Sequence, residues 1–301
     1  MENSTNASTP AEQTERSLEC IEFLLSAISI FYGLAFFINI FHLFVLMALR
    51  SLKGVPYRAV LINLTLSDIA ISGSMAIYYS CLPYFGFINF FGQSAQRIVL
   101  NSVINLANYI GYYVFAIGSV EKYKAICQAL TYNTSKFISN LPISFGAAWI
   151  LVLLVTLVKA VLEVKVQSPY IQTPWFQVAF LLTFALTPSL FSARILVKVY
   201  NELRKMHNRS ETAGQDQQTK KATTYFITIF ILFTVALLIN IIALAVGYST
   251  GNFMIMRFYH IFKSFYTVSN TFIYGWRSKS YRRYLRQMFG CRCDPSVSNA
   301  D

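Results

Sequence analysis

Long apolar runs alternate with short polar breaks along almost the whole chain. Seven such runs cover residues 21–49, 57–82, 95–125, 138–161, 175–200, 223–247 and 253–276. A helix rises about 1.5 Å per residue and needs about 20 mostly apolar residues to cross the hydrocarbon of a bilayer, so each run is long enough to span. After the last run the pattern changes. Tyr281, Tyr284, Leu285, Met288 and Phe289 recur at helical spacing, while Arg282, Arg283 and Arg286 fall on the opposite face. That is the signature of an amphipathic helix lying in the membrane interface. The pattern therefore predicts an all-α membrane protein: a seven-transmembrane helix bundle followed by a short amphipathic eighth helix.

Composition agrees with this pattern. Of the 301 residues 55% are hydrophobic and only 13% charged, far too few charges for the surface of a soluble fold of this size. The net charge of +12 would suit nucleic acid, but the position of the charges gives a different reason for it. With seven spans, Arg50, Lys53 and Arg58, then Lys122, Lys124 and Lys136, then Arg204, Lys205, Arg209, Lys220 and Lys221, and finally Arg277, Lys279, Arg282, Arg283 and Arg286 all fall on one side. Glu2, Glu12, Glu15, Glu19, Glu22 and Glu163 fall on the other. The positive-inside rule then puts the amino end outside and the carboxyl end in the cytoplasm. The basic rim suits anionic membrane lipid, and no nucleic-acid partner is expected.

The division that follows is an extracellular tail over 1–20, the seven-span domain over 21–276, helix eight over 277–290 and a cytoplasmic tail over 291–301. Residues 1–19 are polar, with no basic leader and apolar core of a removable signal peptide. Asn3 and Asn6 open glycosylation sequons in that tail. Cys291 and Cys293 follow the amphipathic helix, where palmitoylation would anchor it. Cys20 and Cys81 stand at the outer ends of neighbouring runs, either as a disulfide or as two free thiols.

Polar residues inside the runs are costly and mark function or helix contacts. Asp68 is the one acid deep in a run, either a protonated structural carboxyl or the centre of a polar cluster. Asn101, Asn105 and Asn108 share one helix face, where they either line a ligand cavity or glue neighbouring helices. Lys263 lies near the outer end of the seventh run among His260, Phe262, Phe265 and Tyr266. It is an anchor for an acidic ligand, or a structural lysine that snorkels outward or pairs with Glu163. No second deep carboxylate accompanies Asp68, and His42, His207 and His260 lack metal-ligand spacing. An enzyme is therefore not expected, nor a cofactor or a metal.

Glu121-Lys122-Tyr123, leading into Ala125-Ile126-Cys127 and Leu130-Thr131-Tyr132, resembles the end of the third helix of rhodopsin-like (class A) G-protein-coupled receptors. Asn39, the Asn63-Leu64-Thr65-Leu66-Ser67-Asp68 run, Trp149, Pro188, Phe233 and Asn270-Thr271-Phe272-Ile273-Tyr274 fall on the expected helices in the family's order. The chain departs from the pattern in several places. Lys122 replaces the usual Arg, Thr271 a Pro, and Leu237 and Ile239 a Trp and a Pro. The cysteine pair that joins the third helix to the following outer loop is missing, Ile104 stands where amine receptors carry an Asp, and the retinal lysine would correspond to Ser264.

The resemblance implies a plasma-membrane receptor, a divergent member of the family. It implies an extracellular small-molecule ligand, acidic or lipid-like, bound by Asn101, Asn105, Asn108 and Lys263. Glu121, Lys122, Tyr123, Asn270 and Tyr274 would form the switch that engages a heterotrimeric G protein. Asp68, Asn39 and Asn270 would form a central polar cluster, with a sodium ion as its implied guest although Gly111 replaces a common serine ligand. Lys122 should latch the inactive state less firmly than Arg, which has a planar fork of donors. The alternative is a polytopic membrane transporter, against which stand the odd helix count and the absence of an internal repeat.

Overall fold

The computed structural model describes residues 10–49, 56–85, 95–132, 134–165, 179–180, 182–208, 214–250 and 254–290. These are almost entirely helical, without a strand among them. The long helices are α1 (Pro10–Ala48), α2 (Pro56–Phe85), α3 (Ala95–Cys127), α4 (Leu141–Lys165), α5 (Thr187–Asn208), α6 (Gly214–Thr250) and α7 (Met254–Arg277), followed by the short α8 (Lys279–Met288). A 3₁₀ turn at Ala129–Thr131 and a single helical turn at Lys136–Ser139 join α3 to α4.

Among the described residues six stretches are long and apolar enough, by length and composition, to cross a membrane: Ile21–Ala48, Tyr57–Cys81, Ser102–Cys127, Leu141–Leu162, Leu182–Lys205 and Lys220–Gly247. This is the pattern of a multi-pass membrane protein. The seventh expected span, α7, is not among the six, although its 24 residues extend about 36 Å at about 1.5 Å each. Its mean hydropathy is lowered by Arg257 and His260 together with the buried Lys263, Ser264, Thr267 and Asn270.

Some ends also differ from expectation. α1 begins at Pro10, inside the stretch read as a tail, and proline suits the first turn of a helix because the N–H it lacks would be unpaired there. α6 begins at Gly214 and α5 runs on to Asn208, so both project beyond their apolar runs. Asn3, Asn6, Cys291 and Cys293 lie outside the described residues, as do the side chains of Cys20, Asn101 and Glu163. Cys81 is a free thiol.

Helix packing follows from which face each sequence turns inward. α4 is apolar almost all round, yet Leu141, Phe145, Ala148, Val152, Thr156 and Lys159 are buried while Ile143, Ile150, Leu154 and Leu157 are exposed. The buried set steps by three and four residues, one stripe of a helix. α3 packs against α2, α4, α5 and α6, and α7 closes the bundle by packing on both α6 and α1.

The centre is aromatic. Phe233 of α6 lies 4.4 Å from Phe115 and 4.7 Å from Tyr112 of α3, and 5.7 Å from Tyr266 of α7, ring centre to ring centre. Such pairs add about 0.5–1.5 kcal/mol each beyond area burial.

The backbone is irregular where the proline predicts it. A π turn over Leu182–Leu186 precedes Pro188. Proline removes one helical hydrogen bond and its ring crowds the preceding turn, and a π turn is one way a helix takes up the misfit. Ser189 Oγ donates to the Ala185 carbonyl at 2.7 Å and Ser192 Oγ to the Pro188 carbonyl at 2.8 Å. By contrast α6 is one continuous helix through Leu237 and Ile239.

Candidate functional site

Three polar stations lie along the bundle, each built from residues of different helices. At the outer one Lys263 of α7 is 7% exposed, so it does not snorkel outward. Its Nζ donates to Asn108 Oδ1 of α3 and lies 5.9 Å from the centre of the Tyr259 ring. Asn108 Nδ2 in turn donates to the Ile104 carbonyl at 2.7 Å. Asn105 is half-buried on the same helix. Thus the lysine and the last of the three asparagines meet, and they tie α3 to α7.

At the middle station Asp68 of α2 is 2% exposed and accepts a hydrogen bond from Asn270 Nδ2 of α7. Asn39 of α1 belongs to the same station without touching Asp68. Its Nδ2 donates to the Thr267 carbonyl at 2.9 Å, and its Oδ1 accepts from Thr271 Oγ1 at 3.2 Å. Thr271 thus supplies a hydroxyl that ties α1 to α7.

The donor set for a sodium ion is thin. Asn270 Oδ1 is buried with no partner among the described residues, but Ser67 Oγ is committed to the Leu64 carbonyl and Gly111 offers no side-chain oxygen. Asp68 and Asn270 could hold one side of a hard cation, and water would have to supply the rest of the oxygen shell.

At the inner station Glu121 and Lys122 of α3 are neighbours in sequence and pair with each other, Nζ to Oε2 at 2.8 Å, both 2% exposed at the side chain. Lys122 is therefore not an interfacial residue reaching for solvent. Its Nζ lies 3.7 Å from the centre of the Tyr57 ring of α2, a cation–π contact that is strongest when desolvated. Tyr132, beyond the 3₁₀ turn, donates its hydroxyl to Glu121 Oε1 at 2.8 Å. Burial, and then the Glu121 carboxylate, raise the Tyr132 phenol above its ordinary value, which keeps the donated proton in place. Tyr123 is half-buried beside this pair.

Tyr274 is brought to a different place. It packs 5.6 Å from Tyr281 of α8 and 6.0 Å from His42 of α1, and His42 Nδ1 shares a hydrogen bond of 3.0 Å with the Tyr281 hydroxyl. This cluster docks α8, whose first turn is capped by Ser278 accepting from the Tyr281 N–H at 3.2 Å.

Sequence reasoning missed Tyr57, Tyr132 and Tyr281 as polar partners because tyrosine reads as apolar in a hydropathy pattern. Their hydroxyls become informative only beside a known charge. Trp149 is explained by its partner, since Nε1 donates to Asn63 Oδ1 of α2 at 3.0 Å. Among the described residues there is no group of His, Cys, Asp and Glu side chains that could hold a metal ion. No protein-family model matches the chain, and no curated protein matches it.

Proposed function

We propose that this protein is a rhodopsin-like receptor of seven spans with an amphipathic eighth helix. It sits in the plasma membrane with its amino end outside, binds an extracellular acidic ligand within the bundle and activates a heterotrimeric G protein. The observation that carries this reading is the hydrogen bond from Asn270 of α7 to Asp68 of α2, in a bundle where α7 also holds Asn39 of α1. Two residues that the resemblance assigns to one polar cluster come from helices far apart in sequence and are hydrogen-bonded, which supports the reading. The palmitoylation of Cys291 and Cys293 and the glycosylation of Asn3 and Asn6 belong to the same reading.

The arrangement supplies a mechanism. In the ligand-free state Lys263 is held by a neutral amide. A ligand carboxylate makes a stronger, charge-assisted bond to the same ammonium, so it competes with Asn108 and loosens the tie between α3 and α7. The middle station links α7 to α2 and α1, and the aromatic centre links α7 to α6, so a shift of α7 alters the inner face. There the Glu121–Lys122 pair, held by Tyr57 and Tyr132, defines the resting conformer. The ligand moves the equilibrium by its differential affinity for the two conformers.

The test is nucleotide exchange on purified G proteins by the full-length chain in nanodiscs, with a panel of acidic compounds. Exchange stimulated by a carboxylate ligand supports the receptor. Ligand flux across proteoliposomes without exchange would instead make the chain a transporter.

A further inference from the structure

The outer quarter of the bundle, where α1, α2, α3 and α7 meet, packs around its own apolar cluster that includes Leu25, Ile28, Ile71, Met75, Ile104 and Ala107. Two polar atoms are buried there with no hydrogen-bond partner among the described residues: the Tyr32 hydroxyl and His260 Nδ1. Tyr32 itself is 0% exposed. The Tyr79 ring joins the two, stacked on Tyr32 at 6.3 Å and edge-on to His260 at 5.4 Å. Tyr259 lies 5.2 Å from His260, and Lys263 is about one turn deeper on the same helix.

Leaving a phenol and an imidazole nitrogen unpaired away from water is costly. The cost is recovered when something hydrogen-bonds to both. An ammonium and a phenol O–H are donors, as is Nδ1 of a histidine in the tautomer that protonates it, and a carboxylate is acceptor-only with two oxygens. An amine would meet the charge of Lys263 head-on, and an alcohol has one oxygen and no charge.

The way in is also marked. Phe31 of α1 and Phe265 of α7 pack 5.4 Å apart, and both rings are exposed, as is Phe262. The seam between α1 and α7 thus carries exposed apolar rings, while Tyr32 and Lys263, each next in sequence to an exposed phenylalanine, are buried.

We propose that Tyr32, His260 and Lys263 form the head-group site for a single-chain amphiphile ending in a carboxylate, with its hydrocarbon chain lying along the Phe31–Phe265 seam between α1 and α7. This rests on the receptor reading with an acidic ligand and says which kind of acid it is and from which phase it arrives. On binding, the carboxylate takes the ammonium from Asn108 and accepts from the Tyr32 hydroxyl and from His260 in its Nδ1–H tautomer. The tail replaces lipid at the seam, which needs no opening toward the extracellular side.

The experiment uses the full-length protein in phosphatidylcholine nanodiscs with tritiated dodecanoate, and empty nanodiscs as background. Saturable binding is expected, displaced by unlabelled dodecanoate and not by dodecanol, dodecyltrimethylammonium or butanoate. Affinity should fall about tenfold or more in Lys263→Gln, the scale of one lost hydrogen bond to a charge, and recover in Lys263→Arg. Tyr32→Phe, which deletes one oxygen and keeps the ring, should lower it several-fold. Each variant is first shown to unfold cooperatively on heating.

Equal displacement by dodecanol overturns the carboxylate, and equal displacement by butanoate overturns the bilayer route. Undiminished binding in folded Lys263→Gln and Tyr32→Phe overturns the site. Nucleotide exchange is read in the same nanodiscs. Carboxylate-specific binding without exchange removes the receptor reading and leaves the head-group site, whereas exchange indifferent to both substitutions removes the head-group site and leaves the receptor.

Discussion

Gly118 of α3 faces α6, and the space left by its missing side chain is already taken. A Cβ built there would lie 2.6 Å from Phe226 Cζ, 2.7 Å from Phe226 Cε2 and 3.0 Å from Val60 Cγ1 of α2. Gly118→Ala must therefore open the α3–α6 contact by about 0.8 Å to bring the nearest atom from 2.6 Å to the 3.4 Å of ordinary contact. Phe226 cannot simply turn aside. It is 0% exposed and lies 5.6 Å from the Phe115 ring, while Val60 closes the other side. Overpacking of this kind costs about 1–3 kcal/mol, from which about 0.8–1 kcal/mol is offset by replacing glycine within a helix.

The assay is equilibrium unfolding in mixed micelles, with the Gly118→Ala, Phe226→Leu and double variants compared. The alanine should destabilise alone and cost much less in the Phe226→Leu background, giving a favourable coupling of about 1 kcal/mol or more. Under the receptor reading the same variant should raise ligand-independent nucleotide exchange, because it pushes α6 away from α3 one turn above the Glu121–Lys122 pair. Unchanged stability, or purely additive effects in the double variant, would refute the reasoning.

Three further outcomes are expected. Lys122→Met leaves Glu121 buried without its cation and should destabilise by about 3–5 kcal/mol; a loss below about 1 kcal/mol in the same micelle assay would mean that Tyr132 alone suffices. Trp149→Phe removes the donor to Asn63 and should cost about 1 kcal/mol, with the loss absent when Asn63→Leu is already present. Burial, with Tyr274 beside it, pushes the Tyr281 phenol up to about 12. Since the folded state holds this proton more tightly than the unfolded phenol near pH 10, its contribution to α8 docking is whole below about pH 10 and is lost as pH rises toward 12. The tyrosinate difference spectrum between wild type and Tyr281→Phe should show a late-titrating phenol, and ordinary titration near 10 would count against the docked position.

The helical, membrane-spanning character was legible because hydropathy is a summed property that survives local irregularity. α7 shows the limit of that sum. Arg257, His260 and the four buried polar residues lower its average below that of the six apolar stretches, and only helical periodicity reveals its apolar face. Asp68 was legible as needing a partner because a carboxylate in hydrocarbon is costly, and it was the resemblance that pointed to Asn270.

The Lys263–Asn108 bond was half legible, since both residues stood out but several partners were open. The burial of Lys122 was not. Positive charges at helix ends usually reach water, and only the fold brings the Tyr57 ring from another helix to cover this one. The π turn before Pro188 was not legible, because proline dictates which hydrogen bond is lost and not how the backbone closes around the gap.

The hydrogen bond between Asn39 and the Thr267 carbonyl joins residues 228 positions apart. At a synthesis rate of about 5–20 residues per second, the first span waits roughly 11–46 s for that partner to be made. During this interval Asn39 and Asp68 are already in the bilayer, while the Thr267, Asn270 and Thr271 groups that will satisfy them are still to be translated. A nascent chain released before α7 would therefore carry polar side chains facing lipid, which gives membrane quality control a chemical basis for separating truncated copies from finished ones.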